Sequence, residues 1–320
     1  MNKAIKKWVK TLGPMALGIF FIWYSLSKFS SEELDQLWLN IKNVDLVWVI
    51  LSFLMGILSH LSRAYRWKFL LEPVQIVPKF HNSFFCLMLG YLANLGVPRS
   101  GEVLRGASLA SYENVKFEKT FGTIITERLL DLAMLLSVVG IASISQSDKI
   151  FEFFKSQNIN PFFGGIIIIS IIVLLIIGFK IIKHSQLAFF QRIKGFISEL
   201  FKGMKSVFSM KKKGYFIFHT ILIWGLYLGM FYVLKFAFPS LQDLGIEAIL
   251  VAFIFGAFAM SITNGGIGLY PIAIGLAFNA FGVSAATGEA FGWVMWGTQT
   301  GLVIIVGGLS FLILPLLNRR

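Results

Sequence analysis

The chain has 320 residues, of which 56% are hydrophobic and only 14% charged, and its mean hydropathy is +0.76. A soluble globular domain carries roughly 25% charged residues, so a chain this apolar cannot cover its surface with polar groups; a soluble enzyme, a disordered tail, a collagen and a disulfide scaffold are excluded, and an integral membrane protein remains. The formal charge of +13, from 29 Lys and Arg against 16 Asp and Glu, is better explained by basic cytoplasmic loops than by nucleic-acid binding.

The first element is basic, then apolar. Lys3, Lys6, Lys7 and Lys10 precede a run from Leu12 to Leu26. Without an A-x-A-like cleavage site this reads as an uncleaved first span rather than a signal peptide. Further apolar segments follow at 46–61, 80–98, 120–146, 162–179, 215–236, 248–282 and 288–316, after 11–27. A spanning helix needs about 20 largely apolar residues. Segment 80–98 holds Asn82, Asn94, two glycines and a terminal Pro98, and 248–282 is too long for one crossing and is interrupted by Asn264-Gly265-Gly266 and Pro271. Interrupted backbone at membrane depth survives only where protein or a wet cavity surrounds it. Both are therefore expected to be broken or re-entrant. Cys86, the single cysteine, lies in the first of them, so no internal disulfide exists.

Charge tests this layout. If both interrupted segments return to their side of entry, the inner stretches 1–10, 62–79, 99–119, 180–214 and 317–320 hold 23 of the 29 Lys and Arg, and the outer stretches 28–45, 147–161 and 237–247 hold four. That bias obeys the positive-inside rule and places both termini in the cytoplasm. The expected fold class is an all-α integral membrane protein of about six full spans plus two broken or re-entrant hairpins. Residues 1–146 and 162–316 show the same order of elements from opposite faces, the layout of an inverted-topology repeat. The expected divisions are a first half, 1–146; a connection, 147–214, whose span 162–179 belongs to the second half; and the remainder, 215–320.

The densest polar cluster runs from Asn94 to Arg105. Pro98 favours a helix start just behind it, which would place Arg99, Glu102 and Arg105 on one face. Helix-start N–H groups with two guanidinium forks suit a phosphate; a solvated turn with surface ion pairs is the plain alternative. Glu127, Arg128 and Asp131 lie inside an apolar run, where each ionisable group costs roughly 2.5–3.5 kcal/mol on insertion scales. An Arg128–Asp131 pair leaves Glu127 in need of Arg99 or Arg105, which favours a joint Arg/carboxylate pocket. Arg63, Arg66, Trp67 and Lys68 close the second span, and snorkelling explains them before ligand contact does. In the second half Asn264, Gly266, Gly268, Glu289 and Gln299 are the candidate cavity residues. Gly225-x3-Gly229 and Gly297-x3-Gly301 read as helix-packing motifs. No phosphate-binding loop, metal-ligand spacing or nucleophile motif appears, so no cofactor, no metal and no catalytic residue is expected.

Arg63-Ala64-Tyr65-Arg66-Trp67, Asn94 to Pro98 with Gly101-Glu102 and Arg105, Glu127-Arg128 with Asp131, and Gly266-Ile267-Gly268 together resemble the flippase-like transmembrane region of lysylphosphatidylglycerol synthases, which also occurs in stand-alone proteins. Pro271 stands where that family often has Glu after its Gly-x-Gly motif. The chain stops at Arg319-Arg320, without the family's soluble aminoacyl-transferase domain, so lysyl transfer is not expected. The resemblance implies a bacterial inner (cell) membrane protein that moves a phospholipid or lipid-linked molecule between leaflets, a transporter more than an enzyme. Its implied partners are membrane lipids, with a separate lipid-modifying enzyme or a second copy of the chain as further ones, and no nucleic acid. A membrane-embedded lipid-modifying transferase, or its lipid-presenting subunit, and an ion-coupled symporter are the alternative readings.

Overall fold

The computed structural model describes residues 3–146 and 210–319, with side chains from residue 16 onward. The expected span 162–179 and all but the last residues of the basic loop 180–214 lie outside them. The chain divides into two compact units, Met1–Glu127 with Lys212–Arg320, and Arg128–Lys211; the described part of the second is chiefly the C-terminal portion of one helix. Among the described residues there is no strand and there are ten α-helices: α1 (Lys3–Lys28), α2 (Ser31–Lys42), α3 (Leu46–Leu71), α4 (Phe80–Gly96), α5 (Gly101–Tyr112), α6 (Phe117–Ser145), α7 (Lys213–Leu234), α8 (Ile246–Ile262), α9 (Leu269–Asn279) and α10 (Ala285–Leu317). Among the described residues three helical stretches, Leu46–Val74, Lys213–Ala237 and Ala285–Leu317, are long and apolar enough to cross a membrane. The fold is an all-α membrane protein.

Helices α3, α7 and α10 form the frame of the first unit. At one end the Asp45 N–H donates to the Ala237 carbonyl (3.2 Å), and at the other Lys212 reaches Glu72 (3.3 Å), so α3 and α7 run antiparallel. The Ser52 hydroxyl near the Met295 sulfur (3.9 Å) and Gly56 against Leu302 set α10 parallel to α3. Lipid tails are as apolar as leucine, so helices in a membrane associate through close packing and small residues. Gly56 provides this: a Cβ there would stand 2.8 Å from Leu302 Cδ1 and 3.1 Å from Met230 Cε. Among the described residues, Gly229 of the two expected glycine motifs makes a close contact, against Met55, whereas Gly225, Gly297 and Gly301 have no described neighbour within 4 Å of a built Cβ.

Two helical hairpins fill this frame from opposite ends. The first is longer than the interrupted segment 80–98 expected from hydropathy. Helix α4 is continuous, the chain turns at residues 97–100, and α5 returns along it. Segment 99–119 is thus no plain cytoplasmic stretch, because Gly101, Arg105, Gly106 and Leu109 are buried. Pro98 lies in the turn, and the helix behind it starts only at Gly101. The Asn94 side-chain oxygen accepts from the Gly101 N–H (2.7 Å), and the Ser100 hydroxyl donates to the Val97 carbonyl (2.8 Å). A side chain at Gly101 would strike the Gly90 carbonyl oxygen, which explains a glycine here. At the hairpin's base Glu113 accepts from the Lys79 N–H (2.9 Å) and from Asn82 (2.8 Å). Asn82 in turn exchanges two hydrogen bonds with Asn318 beyond α10 (3.0 and 2.7 Å).

The second hairpin is α8, a break at 263–268, and α9. The expected interruption at Asn264-Gly265-Gly266 is present: Gly265, Gly266 and Gly268 all have φ between 63° and 78°, a region that costs any L side chain about 1–2 kcal/mol. Pro271 does not break the helix but sits in the first turn of α9, where its missing N–H is harmless. The hairpin's base lies at the Asp45–Ala237 end, where Lys235 donates to the Leu244 carbonyl (2.7 Å). The two tips meet: Asn264 Nδ2 donates to the Leu95 carbonyl (2.8 Å), and Trp296 of α10 donates to the Gly265 carbonyl (2.7 Å). Limbs of 17 residues reach roughly 26 Å each, and α10 at 33 residues is roughly 50 Å long, so the tips touch about halfway along the frame.

Candidate functional site

Four helices converge on Glu127. Hydropathy ends the second span at residue 61, but α3 continues to Leu71 and carries Arg63 and Arg66 on its buried face. Neither snorkels. Arg63 is 5% exposed, Arg66 0%, Arg105 2% and Glu127 0%. Arg63 Nε donates to Glu127 Oε1 at 2.6 Å. Arg105, from the returning limb α5, donates to both carboxylate oxygens (Nη1 to Oε1, 3.3 Å; Nη2 to Oε2, 2.9 Å). Arg66 Nη2 stands 3.6 Å from Oε1. A two-pronged guanidinium–carboxylate contact is among the stronger charge-assisted arrangements.

A second ring of partners fixes the guanidinium planes. Arg63 donates to the Tyr227 hydroxyl (2.9 Å) and Arg66 to the Thr220 hydroxyl (3.2 Å), both on α7. Arg105 stacks on Trp67 with Cζ 3.8 Å from the ring centroid, and Trp67 Nε1 donates to Thr123 of α6 (2.9 Å). Thr120 on α6 donates to the Gly106 carbonyl (2.9 Å), which anchors α5 against α6. The cluster therefore ties α3, α5, α6 and α7 together about two helical turns from the Glu72–Lys212 end, roughly 8–12 Å inward. Tyr227 and Thr220 escape a sequence reading because a single hydroxyl in an apolar run has no motif around it; the signal is their spacing of seven, which places them on one face of α7.

The other expected residues have separate places. Arg99 does not share a helix face with Glu102 and Arg105: it lies in the turn before α5, exposed, with φ at +62°. Glu102 is half-buried in the first turn of α5. Arg128 and Asp131 pair with each other at 3.8 Å in the second unit. Asn94 serves the hairpin turn. Asn264, Gly266 and Gly268 form the second tip. Gln299 is half-buried on α10. Glu289 is buried near the opposite end of the frame and accepts from the Ser25 hydroxyl of α1. The second-half candidates thus do not converge on one point as Arg63, Arg66 and Arg105 do. A cavity of about 310 Å³ lies among Ile22, Leu26, Leu37, Trp38, Ile41, Trp293 and Val294; it is apolar, whereas the arginine–glutamate cluster is close-packed on itself.

Comparison with known proteins gives the family. Residues 12–307 match the model of the lysylphosphatidylglycerol synthase TM region. The chain is 27% identical over 285 residues to the UPF0104 membrane protein MJ1595 of Methanocaldococcus jannaschii, a match covering 80% of this chain and 82% of that protein. No solved structure matches the chain. With a family model covering nearly its whole length, the chain belongs to the family of lysylphosphatidylglycerol synthase transmembrane regions.

Proposed function

We propose that the chain moves a phospholipid or lipid-linked molecule between the leaflets of the cell membrane, with the Glu72–Lys212 end and both termini on the cytoplasmic side. The observation that carries this reading is the gathering of Arg63 and Arg66 of α3 and Arg105 of α5, the returning limb of a hairpin, on Glu127 of α6. Guanidinium forks hold a phosphate as they hold a carboxylate, so an anionic headgroup competes with Glu127 for Arg105 and loosens that limb from α3 and α6.

Arg99 supports the same reading. It is an exposed guanidinium at the hairpin tip, about midway along the frame, held in a left-handed backbone conformation. Such strain marks functional turns, and a charge at membrane depth belongs beside water or an anion. The headgroup would pass along the paired tips while its acyl chains stay in lipid. The two hairpins entering from opposite ends fit the two halves of an inverted-topology repeat.

The test is exchange of fluorescent phospholipids between leaflets of liposomes holding the purified protein. Arg99→Ala, which removes an exposed side chain, is expected to slow exchange at least tenfold while leaving thermal stability within about 0.5 kcal/mol of wild type. Equal exchange by wild type, Arg99→Ala and empty liposomes would overturn the proposal, and a covalently altered lipid would instead identify a transferase.

A further inference from the structure

Glu289 is the buried carboxyl for which the lipid pathway has no use. It lies in the second turn of α10, 7% exposed, and its polar partner among the described residues is the Ser25 hydroxyl. The packing is shaped around it: Gly275 of α9 lies so close that a Cβ there would stand 2.7 Å from Glu289 Cγ. From α2, Asn40 donates to Thr287 (3.1 Å), which also takes the Ser284 hydroxyl (2.9 Å). The charged side chains described on these elements are exposed or engaged with other groups. Lys28, at the end of α1, lies over the Tyr24 ring at 4.5 Å. On α2, Glu32, Glu33, Asp35 and Lys42 are exposed. Residues 269–288 of α9 and the α10 start contain no Lys, Arg, Asp or Glu. At the end of α7, Lys235 is committed to the Leu244 carbonyl and to the Tyr232 and Phe236 rings.

A carboxylate in an apolar medium is sustained only with a compensating positive charge. Glu127 receives its charge from arginines. At Glu289 the described protein supplies a hydroxyl, which can accept a hydrogen bond from a carboxylic acid, donate one to a carboxylate, or offer a lone pair to a small metal cation. We propose that Glu289 and Ser25 form the binding site of a coupling cation, a proton or a monovalent metal ion, whose gradient drives the lipid movement. This rests on the transport reading above and supplies the energy source for a chain without an ATP-binding motif.

The experiment measures lipid movement in proteoliposomes with an inward pH gradient, an inward Na+ gradient, or neither. One gradient is expected to accelerate wild-type transport and to build a leaflet asymmetry of up to about tenfold per coupled cation for a tenfold gradient; the pH arm and the Na+ arm separate the two ions. In Glu289→Gln the ratio of rates with and without that gradient falls to unity, and in Ser25→Ala it falls part of the way. A wild-type protein that moves lipid equally with and without either gradient overturns the inference and leaves the transport reading standing, as does a Glu289→Gln protein with the wild-type ratio. If wild type moves no lipid at all, the transport reading fails, and the cation site is judged on binding alone. A protonated-carboxyl infrared band that changes with pH, or a melting temperature raised by Na+ against choline at equal ionic strength, should be seen in wild type and lost in Glu289→Gln. Neither signal differing between the two proteins rejects the site. Should Glu289→Gln fail to fold, Ser25→Ala gives the same comparisons.

Discussion

Glu127 and Glu289 are both buried carboxyls in a membrane protein, and the chain treats them in opposite ways. Glu127 stands at the crossing of α3, α5, α6 and α7 with arginines on several sides and a ring of hydroxyls and Trp67 behind them. Glu289 stands where α1 and α9 meet α10, beside one serine and the bare backbone of a glycine. The first is a joint that holds helices in place through charge. The second is close-packed against a glycine and a serine, without a guanidinium beside it among the described residues. Burial alone says little about a carboxyl's role; its partners decide.

Substitutions that separate structure from exchangeable charge sharpen this contrast. The largest effect is expected from Glu127→Gln, which leaves buried guanidiniums without their anion. Breaking a buried ion pair from one side costs about 3–5 kcal/mol, so the variant should unfold well before wild type in a detergent melt, and little folded protein should be recovered. Gly101→Ala forces a methyl group onto the Gly90 carbonyl and Asn94, and overpacking of this kind costs about 1–3 kcal/mol; it should lower the melting temperature without touching any charge. Gly265→Ala meets a positive φ but only the movable end of Leu95 at 3.2 Å, so about 1–2 kcal/mol is expected. Ser30→Ala removes the capping box that starts α2, in which Ser30 and Glu33 exchange hydrogen bonds, and should cost about 1 kcal/mol, read as earlier loss of helix signal. Glu289→Gln keeps the shape and a partner for Ser25, so its cost should stay below about 0.5 kcal/mol. A Glu289→Gln protein as unstable as Glu127→Gln would erase the distinction between the two carboxyls.

Several elements were readable from the residues one by one. The interruption at Asn264-Gly265-Gly266 is a local matter, because three glycines permit backbone angles other residues resist. That Glu127 needed an arginine, Arg99 or Arg105, followed from the cost of an ionisable group in an apolar run; the choice between the two did not. Other elements were hidden. Helix α2 sits in what hydropathy treats as a plain outer loop, although Ser30 and Glu33 at capping-box spacing give it a local signature. The last ten residues of α3 were lost because Ser62, Arg63 and Arg66 lower the window average, although the backbone continues as helix. Arg99 and Arg105 look equivalent in sequence, and the turn at 97–100 sends one outward and the other into the core.

Taken by itself, the sequence determined the medium and the rough plan. An apolar fraction of 56% with only 14% charged residues requires lipid around the chain, and the spacing of glycine, asparagine and proline marks where helices stop, because these effects act over a few residues. Only the tertiary structure decided that a hairpin returns through residues 101–112, that two hairpin tips meet at Leu95 and Asn264, and that Arg63, Arg66 and Arg105 share one glutamate while Glu289 has a serine. Those outcomes depend on which helix faces pack together, and a side chain's electrostatic surroundings come from neighbours that sequence order does not place beside it.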